Sequence, residues 1–270
     1  MSELKGLRLM AVLAHPDDET AGMGSTFAYY RRRGVQTSLL MATRGERGWT
    51  GPHVDDPGPQ AMAHTRTREL EAAASILGID EISFLEYVDG DLDRADPRQA
   101  ISRIVAQLRR RRPQVVVTFP PDGAYGHPDH IAISQLTAAA LVCAADPTYL
   151  PSDGRPHRAE KFYYMIDTQD VLQAYEEVVG DLTMEVDGVI RRAVYWNDWA
   201  ITTRLPTGSH WQTALRALLC HQSQIAGFGE LERRPESLLR RLMTGGTFYR
   251  VYSTVNGGRT TETDLFEGLL

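Results

Sequence analysis

Cysteine is nearly missing from this chain. Cys143 and Cys220 are the only two in 270 residues. Each lies inside an apolar stretch that reads as helix, so a disulfide framework and a cysteine-based zinc site are both excluded. Such usage fits a reducing cytoplasm. Long hydrophobic runs are missing too: near the start only Leu9 to Ala14 is unbroken, far short of a signal sequence or a ~20-residue span. No membrane targeting is expected. Nor is there a basic excess, since 29 Lys+Arg face 35 Asp+Glu for a formal net charge of −6. That balance argues against a nucleic-acid or anionic-membrane footprint and favours a small-molecule partner, with a homo-oligomer left open. The chain shows no internal repeat and no low-complexity segment.

Several catalytic and nucleotide-binding signatures are also lacking. Gly22-Met23-Gly24 opens a helical stretch, but Phe27 stands where a dinucleotide fingerprint needs a third small residue. The second apolar run ends in Met41-Ala42-Thr43-Arg44 without the acidic residue that would hold a ribose. No Walker sequence and no Gly-x-Ser-x-Gly elbow occurs.

What is present reads as a folded α/β chain, 42% hydrophobic and 24% charged. Short aliphatic runs at Leu7–Ala14, Val35–Ala42, Ile82–Leu85 and Val115–Phe119 alternate with helical patterns at Glu19–Gly34, Met62–Leu77, from Asp96-Pro97 to Arg112, and Asp129–Cys143. This predicts a Rossmann-like, mostly parallel sheet flanked by helices; if its strand order is 3-2-1-4-5, strands one and four are neighbours. The arginine runs Arg31 to Arg33 and Arg109 to Arg112 fall in last helical turns and are expected as solvated ends complementing the helix dipole. After a Pro/Gly/Ser/Asp-rich joint at 146–158, Phe162–Ile166 and Phe248–Ser253 read as strands, Val171–Val179 and Trp211–Gln224 as helices. The whole, 1–270, is expected as one domain: a metal-binding core over 1–145 and an elaborated C-terminal half over 146–270 shaping the substrate pocket.

The chemistry-bearing residues lie in two segments that share His-Pro-Asp. His15-Pro16-Asp17-Asp18-Glu19 follows the first strand, and Tyr125-Gly126-His127-Pro128-Asp129-His130 follows the fourth. Proline suits the first turn of a helix, so both segments cluster polar side chains where a strand hands over to a helix. In the order 3-2-1-4-5 these strands would flank the crevice where open parallel sheets bind ligands. Histidine with aspartate suits a borderline metal such as zinc, or another divalent ion. His15 and Asp18, at i and i+3, can converge; spacing leaves open whether His127 or His130 completes the set. Helix capping would explain either segment alone, but not both after neighbouring buried strands.

These motifs resemble the PIG-L/LmbE family of zinc-dependent de-N-acetylases. Thr43-Arg44-Gly45-Glu46-Arg47-Gly48, Arg66 with Glu69-Leu70, Asp89-Gly90 and His221-Gln222-Ser223-Gln224 add support. The resemblance implies that His15, Asp18 and His130 hold Zn2+ and that Asp17 is the general base. It also implies that His127, oriented by Asp129, and Tyr125 stabilise the tetrahedral intermediate, and that Arg66 and Asp89 contact the sugar. Asp129 is expected to favour a charged His127. Arg66 has a competing reading as a surface partner of Glu69, and His221 reads as a structural histidine.

The implied activity is removal of acetyl from an N-acetylglucosamine-type amide, with an acetyl-sized end to the pocket. Two alternatives remain at this point: an amidase taking a larger acyl group from a glucosaminyl thiol conjugate, and a sugar-binding module without turnover. An intact Asp17 speaks against the latter. The aglycone is expected to be read by the Trp49–Gln60 loop and by Trp196, Trp199 and Trp211.

Overall fold

A computed structural model describes residues 4–49, 53–150, 154–225, 231–258 and 260–269. The first part alternates strand and helix: β1 (Arg8–Leu13), the single turn α1 (Asp18–Ala21), α2 (Gly24–Arg32), β2 (Gln36–Met41), α3 (Pro59–Leu77) and β3 (Glu81–Phe84). It continues through α4 (Pro97–Arg111), β4 (Val115–Thr118), the turn α5 (Gly123–Gly126), α6 (Pro128–Ala145) and β5 (Lys161–Met165). The later part holds α7 (Gln169–Val179), β6 (Thr183–Val186), β7 (Val189–Arg192), β8 (Thr203–Arg204), α8 (Trp211–Leu218), α9 (Gln222–Ile225), α10 (Glu236–Thr244) and β9 (Thr247–Ser253).

The main sheet runs β3-β2-β1-β4-β5-β9-β8. Its first five strands are parallel, so the order 3-2-1-4-5 on which the crevice depends is the one present. β9 then joins β5 antiparallel. Helices α4 and α6 pack together, and α2, α3 and α8 pack together. With helices on both faces β4 buries every side chain, which is why Val115-Val116-Val117 is apolar without alternation. The chain reverses its direction of travel across the sheet between β1 and β4, leaving a crevice at their carboxyl ends.

Local chemistry fixes the helix ends. Asp96 caps α4 by accepting from Arg98 N–H, with Pro97 at the first helical position. Gly78 ends α3 at φ 73°, a left-handed conformation that suits glycine. The stretch expected as one helix from Glu19 breaks at Gly22 and Met23. The one expected over Trp211–Gln224 breaks after Leu218.

The arginine runs differ from expectation. Arg33, Arg109 and Arg111 are buried rather than solvated. Arg109 donates to the carbonyls of Cys143, Ala144, Asp146 and Leu150, so it caps the end of α6, a different helix from its own. Arg111 pairs with Glu81 and Arg33 with Asp264. A second apolar cluster joins α7, α8 and α10 through Ala174, Trp211, Leu218 and Leu242. No helix among the described residues is long and apolar enough to cross a membrane.

Candidate active site

The turn after β1 is strained and heavily tied. Asp17 sits at φ 116°, which a side chain with a Cβ rarely adopts. Its N–H donates to Glu19 Oε2 at 2.9 Å, and Thr20 Oγ1 donates to its carbonyl at 2.7 Å. Arg66, buried on α3, donates to Asp17 Oδ2 at 3.0 Å, to Gly45 O at 3.0 Å and to Pro16 O. A Cβ at Gly45 or Gly48 would collide with that guanidinium, which accounts for both glycines of the Arg44–Gly48 stretch. Arg66 is therefore not the surface partner of Glu69, which instead accepts from Ser223. Strain of this kind persists only where surroundings over-determine it, and it concentrates at functional sites.

Across the crevice, His127 caps α6: its Nδ1 accepts from Asp129 N–H at 3.1 Å, with Pro128 next in line. Asp129 and His130 follow in the first turn, both buried. The Asp129 carboxylate does not meet the His127 ring. It accepts from Gly90 N–H at 2.7 Å and Leu92 N–H at 3.1 Å, and lies 3.1 Å from His15 Nε2. Asp89 Oδ1 is also 3.1 Å from that nitrogen. The orienting partner expected for His127 thus orients His15.

These contacts decide which ring nitrogens are free. His15 Nε2 is occupied by carboxylates, leaving Nδ1; His130 Nδ1 is 3.2 Å from Gly123 O, leaving Nε2. The two free nitrogens are 3.2 Å apart. Asp18 Oδ1 lies 3.4 Å from His130 Nε2, and Asp18 Oδ2 lies 3.8 Å from His15 Nδ1. Ligands of a tetrahedral zinc at ~2.0–2.1 Å are ~3.3 Å from one another; the two ring nitrogens meet that spacing, while Asp18 faces each ring with a different oxygen. A carboxylate or carbonyl behind each imidazole is the usual support of a metal-binding histidine. His127 also falls within ligand reach of His15 and His130.

Electrostatics agree with a cation-binding centre. Burial opposes charge on His15, but hydrogen bonds to Asp129 and Asp89 and the charge of Asp18 overcome it and push its pKa up to about 10. Burial pushes Asp18 up to about 7. For Asp89 burial acts upward, yet His15 and the Arg47 N–H hold it down at about 2. His127 runs opposite to expectation: burial and the charge of His15 push it down to about 4, beyond what Asp129 restores. Burial raises Asp17 despite Arg66 beside it.

Two cavities meet at Asp17, Asp18 and Tyr125. One, of ≈ 360 Å3, is polar, with Arg47, Arg66, Asp89, His127 and Gln224 in its wall. The other, of ≈ 240 Å3, is mostly apolar, with Phe119, Met165, Ile166, Val171 and Leu242. Tyr125 stands edge-on to His130 with ring centroids 5.2 Å apart. Trp196 and Trp199 lie elsewhere, in a groove with Tyr249 and Asp122, while Trp211 is buried in the second apolar cluster and has no face to offer a ligand. Within the Trp49–Gln60 loop, residues 50–52 fall outside the described residues.

Sequence reasoning missed the support from behind. Glu19 is wholly buried, pairing with His221 Nε2 at 2.7 Å while holding the Asp17 N–H. The signal was available: a fourth polar residue in a segment that enters a buried helix turn needs a partner. Gln224, which donates to Gly48 O at 2.9 Å, closes the polar cavity from α9.

Comparison with known proteins gives a consistent family. The profile of the family described as PIG-L, GlcNAc-PI de-N-acetylase, matches residues 10–141. The 1D-myo-inositol 2-acetamido-2-deoxy-alpha-D-glucopyranoside deacetylase of Streptomyces avermitilis is 33% identical over 305 residues, covering 100% of this chain and 99% of that one. Among solved structures, N,N'-diacetylchitobiose deacetylase from Pyrococcus horikoshii superposes with a TM-score of 0.67 at 20% identity, covering 90% of this chain and 83% of its own. A 4-carboxy-2-hydroxymuconate hydratase from Pseudomonas putida reaches 0.65 at 17% identity, covering 93% and 99%. A deacetylase and a hydratase on one scaffold show that the fold alone does not settle the reaction.

Proposed function

The chain belongs to the GlcNAc-PI de-N-acetylase family, and from that premise we propose a metal-dependent hydrolase that removes acetyl from an N-acetylglucosamine-type substrate, releasing acetate and a free amino sugar. One observation carries the reading: two imidazole nitrogens and a carboxylate at metal-ligand spacing adjoin a strained, unligated aspartate where a polar and an apolar cavity meet.

We assign His15, Asp18 and His130 as the metal ligands. Two imidazoles and one carboxylate with room beside them suit catalytic zinc, with another divalent ion as the alternative. Bound there, zinc supplies a Lewis acid for the amide carbonyl and lowers the pKa of water. Asp17 takes the proton from the attacking water; burial raises its basicity, and Arg66 and Glu19 hold its turn.

His127 serves the oxyanion as a neutral donor. Its Nδ1 accepts from the Asp129 amide, so the ring proton sits on Nε2, free to donate. Tyr125, raised well above the usual tyrosine range by burial and by Asp18 and Asp17, stays protonated and is a second donor. Asp89 and Arg47 in the polar cavity receive the sugar. Arg66, whose two terminal nitrogens are held by protein oxygens, contributes by positioning more than by contact.

The unpaired Cys143 and Cys220 support a cytoplasmic setting. The decisive assay measures acetate release from free N-acetylglucosamine and from 1-substituted N-acetylglucosaminides, with metal-depleted and zinc-restored protein. Release that depends on metal and favours the substituted sugars is expected. Silence of every substrate after zinc restoration would overturn the reading.

A further inference from the structure

The apolar cavity is far larger than the group it would need to admit. An acetyl methyl is about the size of a water molecule, whose share of liquid volume is ~30 Å3; the cavity holds ≈ 240 Å3. It opens on the same Asp17, Asp18 and Tyr125 that border the polar cavity. An amide whose sugar lies against Arg47 and Asp89 has its carbonyl at that shared border, and from there the apolar cavity continues along Phe119, Met165, Ile166, Val171 and Leu242.

We infer that this chain hydrolyses glucosaminides carrying linear apolar N-acyl chains beyond acetyl, with the cavity walled by Met165, Ile166, Val171, Leu182 and Leu242 as the acyl site. The inference rests on the deacetylase reading and extends it on the acyl side. Hydrolysis is balanced as for acetyl: the C–N bond breaks, the carbonyl carbon gains the water oxygen, and the nitrogen leaves as an amine with a water proton. Its products are a fatty carboxylate and the amino sugar.

The wall contains one acid away from the shared border, Asp167. Burial, with Asp122 nearby, pushes it up to about 6. The walls come from separate elements, β5, α7, the start of the β6–β7 hairpin and α10, and most lie after residue 145.

The test compares kcat/KM for N-acetyl, N-butyryl and N-hexanoyl versions of one glucosaminide, in wild type and in Val171→Phe and Leu182→Trp. Both residues are only half buried, so either variant has a route to folding, checked by thermal unfolding. Wild type should process the hexanoyl substrate within ~10-fold of acetyl, because an open cavity lacks the ~10- to 200-fold penalty that a close-fitting pocket sets on one methylene. Each variant should lose at least ~10-fold on hexanoyl and keep acetyl turnover.

Binding gives an independent readout. Metal-depleted wild type should bind the N-hexanoyl glucosaminide at least ~10-fold tighter than the N-acetyl one, and Val171→Phe should erase the difference. Acetyl turnover with a steep loss per added methylene would overturn the acyl site and leave the deacetylase standing. So would a gain from lengthening the 1-alkyl group of the glycoside that the variants abolish, since the aglycone would then own the cavity. No product from any substrate would instead fell the deacetylase reading itself.

Discussion

The chain up to Ala145 and the chain after it divide the work unequally. Every side chain assigned to the metal or to proton transfer comes from the first part, at the carboxyl ends of β1 and β4. The second part contributes walls: Met165, Val171 and Leu242 around the apolar cavity, Met184 and Gln224 around the polar one. Parallel strand ends offer free amides and helix starts at fixed positions, which is what a precise ligand set needs. A pocket wall needs only shape, and loops, hairpins and short helices can supply it.

The most severe way to break this division is to empty the centre. His15→Ala/His130→Ala should reduce metal from about one ion per chain to none in elemental analysis and abolish turnover, with Asp18→Ala close behind. Asp17→Asn should keep its metal while losing on the order of 10² to 10⁴ in turnover, the range for a general base. A mutant at Asp17 that lost metal while Asp18→Ala kept it would exchange the two roles.

The same division governs what could be read in advance. β1 to β5 were legible because each is a short, largely apolar run bounded by helix signals such as Asp96-Pro97. The β6–β7 hairpin escaped notice although it carries a strong signal: Asp187-Gly188 has positive φ at both positions, 54° and 75°, as a two-residue primed turn requires. Its strands are half exposed and short, so periodicity gave no warning. The buried arginines were invisible for another reason. An arginine at a helix end looks alike whether water or a carbonyl 34 to 41 residues away receives it, as for Arg109. Spacing likewise does not encode the choice between His127 and His130, for which the family resemblance pointed to His130.

A next-largest effect would sharpen the comparison by separating stability from chemistry. Glu262, near the end of the chain, is buried and accepts from Lys161 Nζ at 2.5 Å, Tyr163 OH at 2.7 Å, Thr203 Oγ1 at 2.8 Å and Asn256 Nδ2 at 2.6 Å. It locks the tail onto β5, far from the metal centre. Glu262→Ala leaves Lys161 buried without its partner and should cost ~3–5 kcal/mol in chemical denaturation, with metal content of the folded fraction unchanged. Burial works against the charged carboxylate, but those donors hold Glu262 down at about 2 against an ordinary 4.5. Its contribution is thus fully present above pH 4.5 and is lost as the pH falls towards 2. Wild type should destabilise across that window and Glu262→Gln much less.

The smallest effect tests whether the second part reads the aglycone with its exposed aromatics. Trp199 is 86% exposed and lines a groove of ≈ 500 Å3 with Trp196 and Tyr249, whose ring centroids are 5.5 Å apart. Trp196 Nε1 donates to Asp122 Oδ2 at 3.0 Å, which fixes one face of the groove beside the turn that carries Tyr125. Because Trp199 packs against so little, Trp199→Ala should move stability by less than ~0.5 kcal/mol. Stacking on one aromatic ring is worth ~0.5–1.5 kcal/mol, so KM for a glycoside long enough to reach the groove should rise by ~2- to 12-fold. Turnover of free N-acetylglucosamine should not change, since its single ring is confined to the polar cavity. An unchanged KM across short and long glycosides would remove the groove from substrate reading, leaving only cavity walls to the second part.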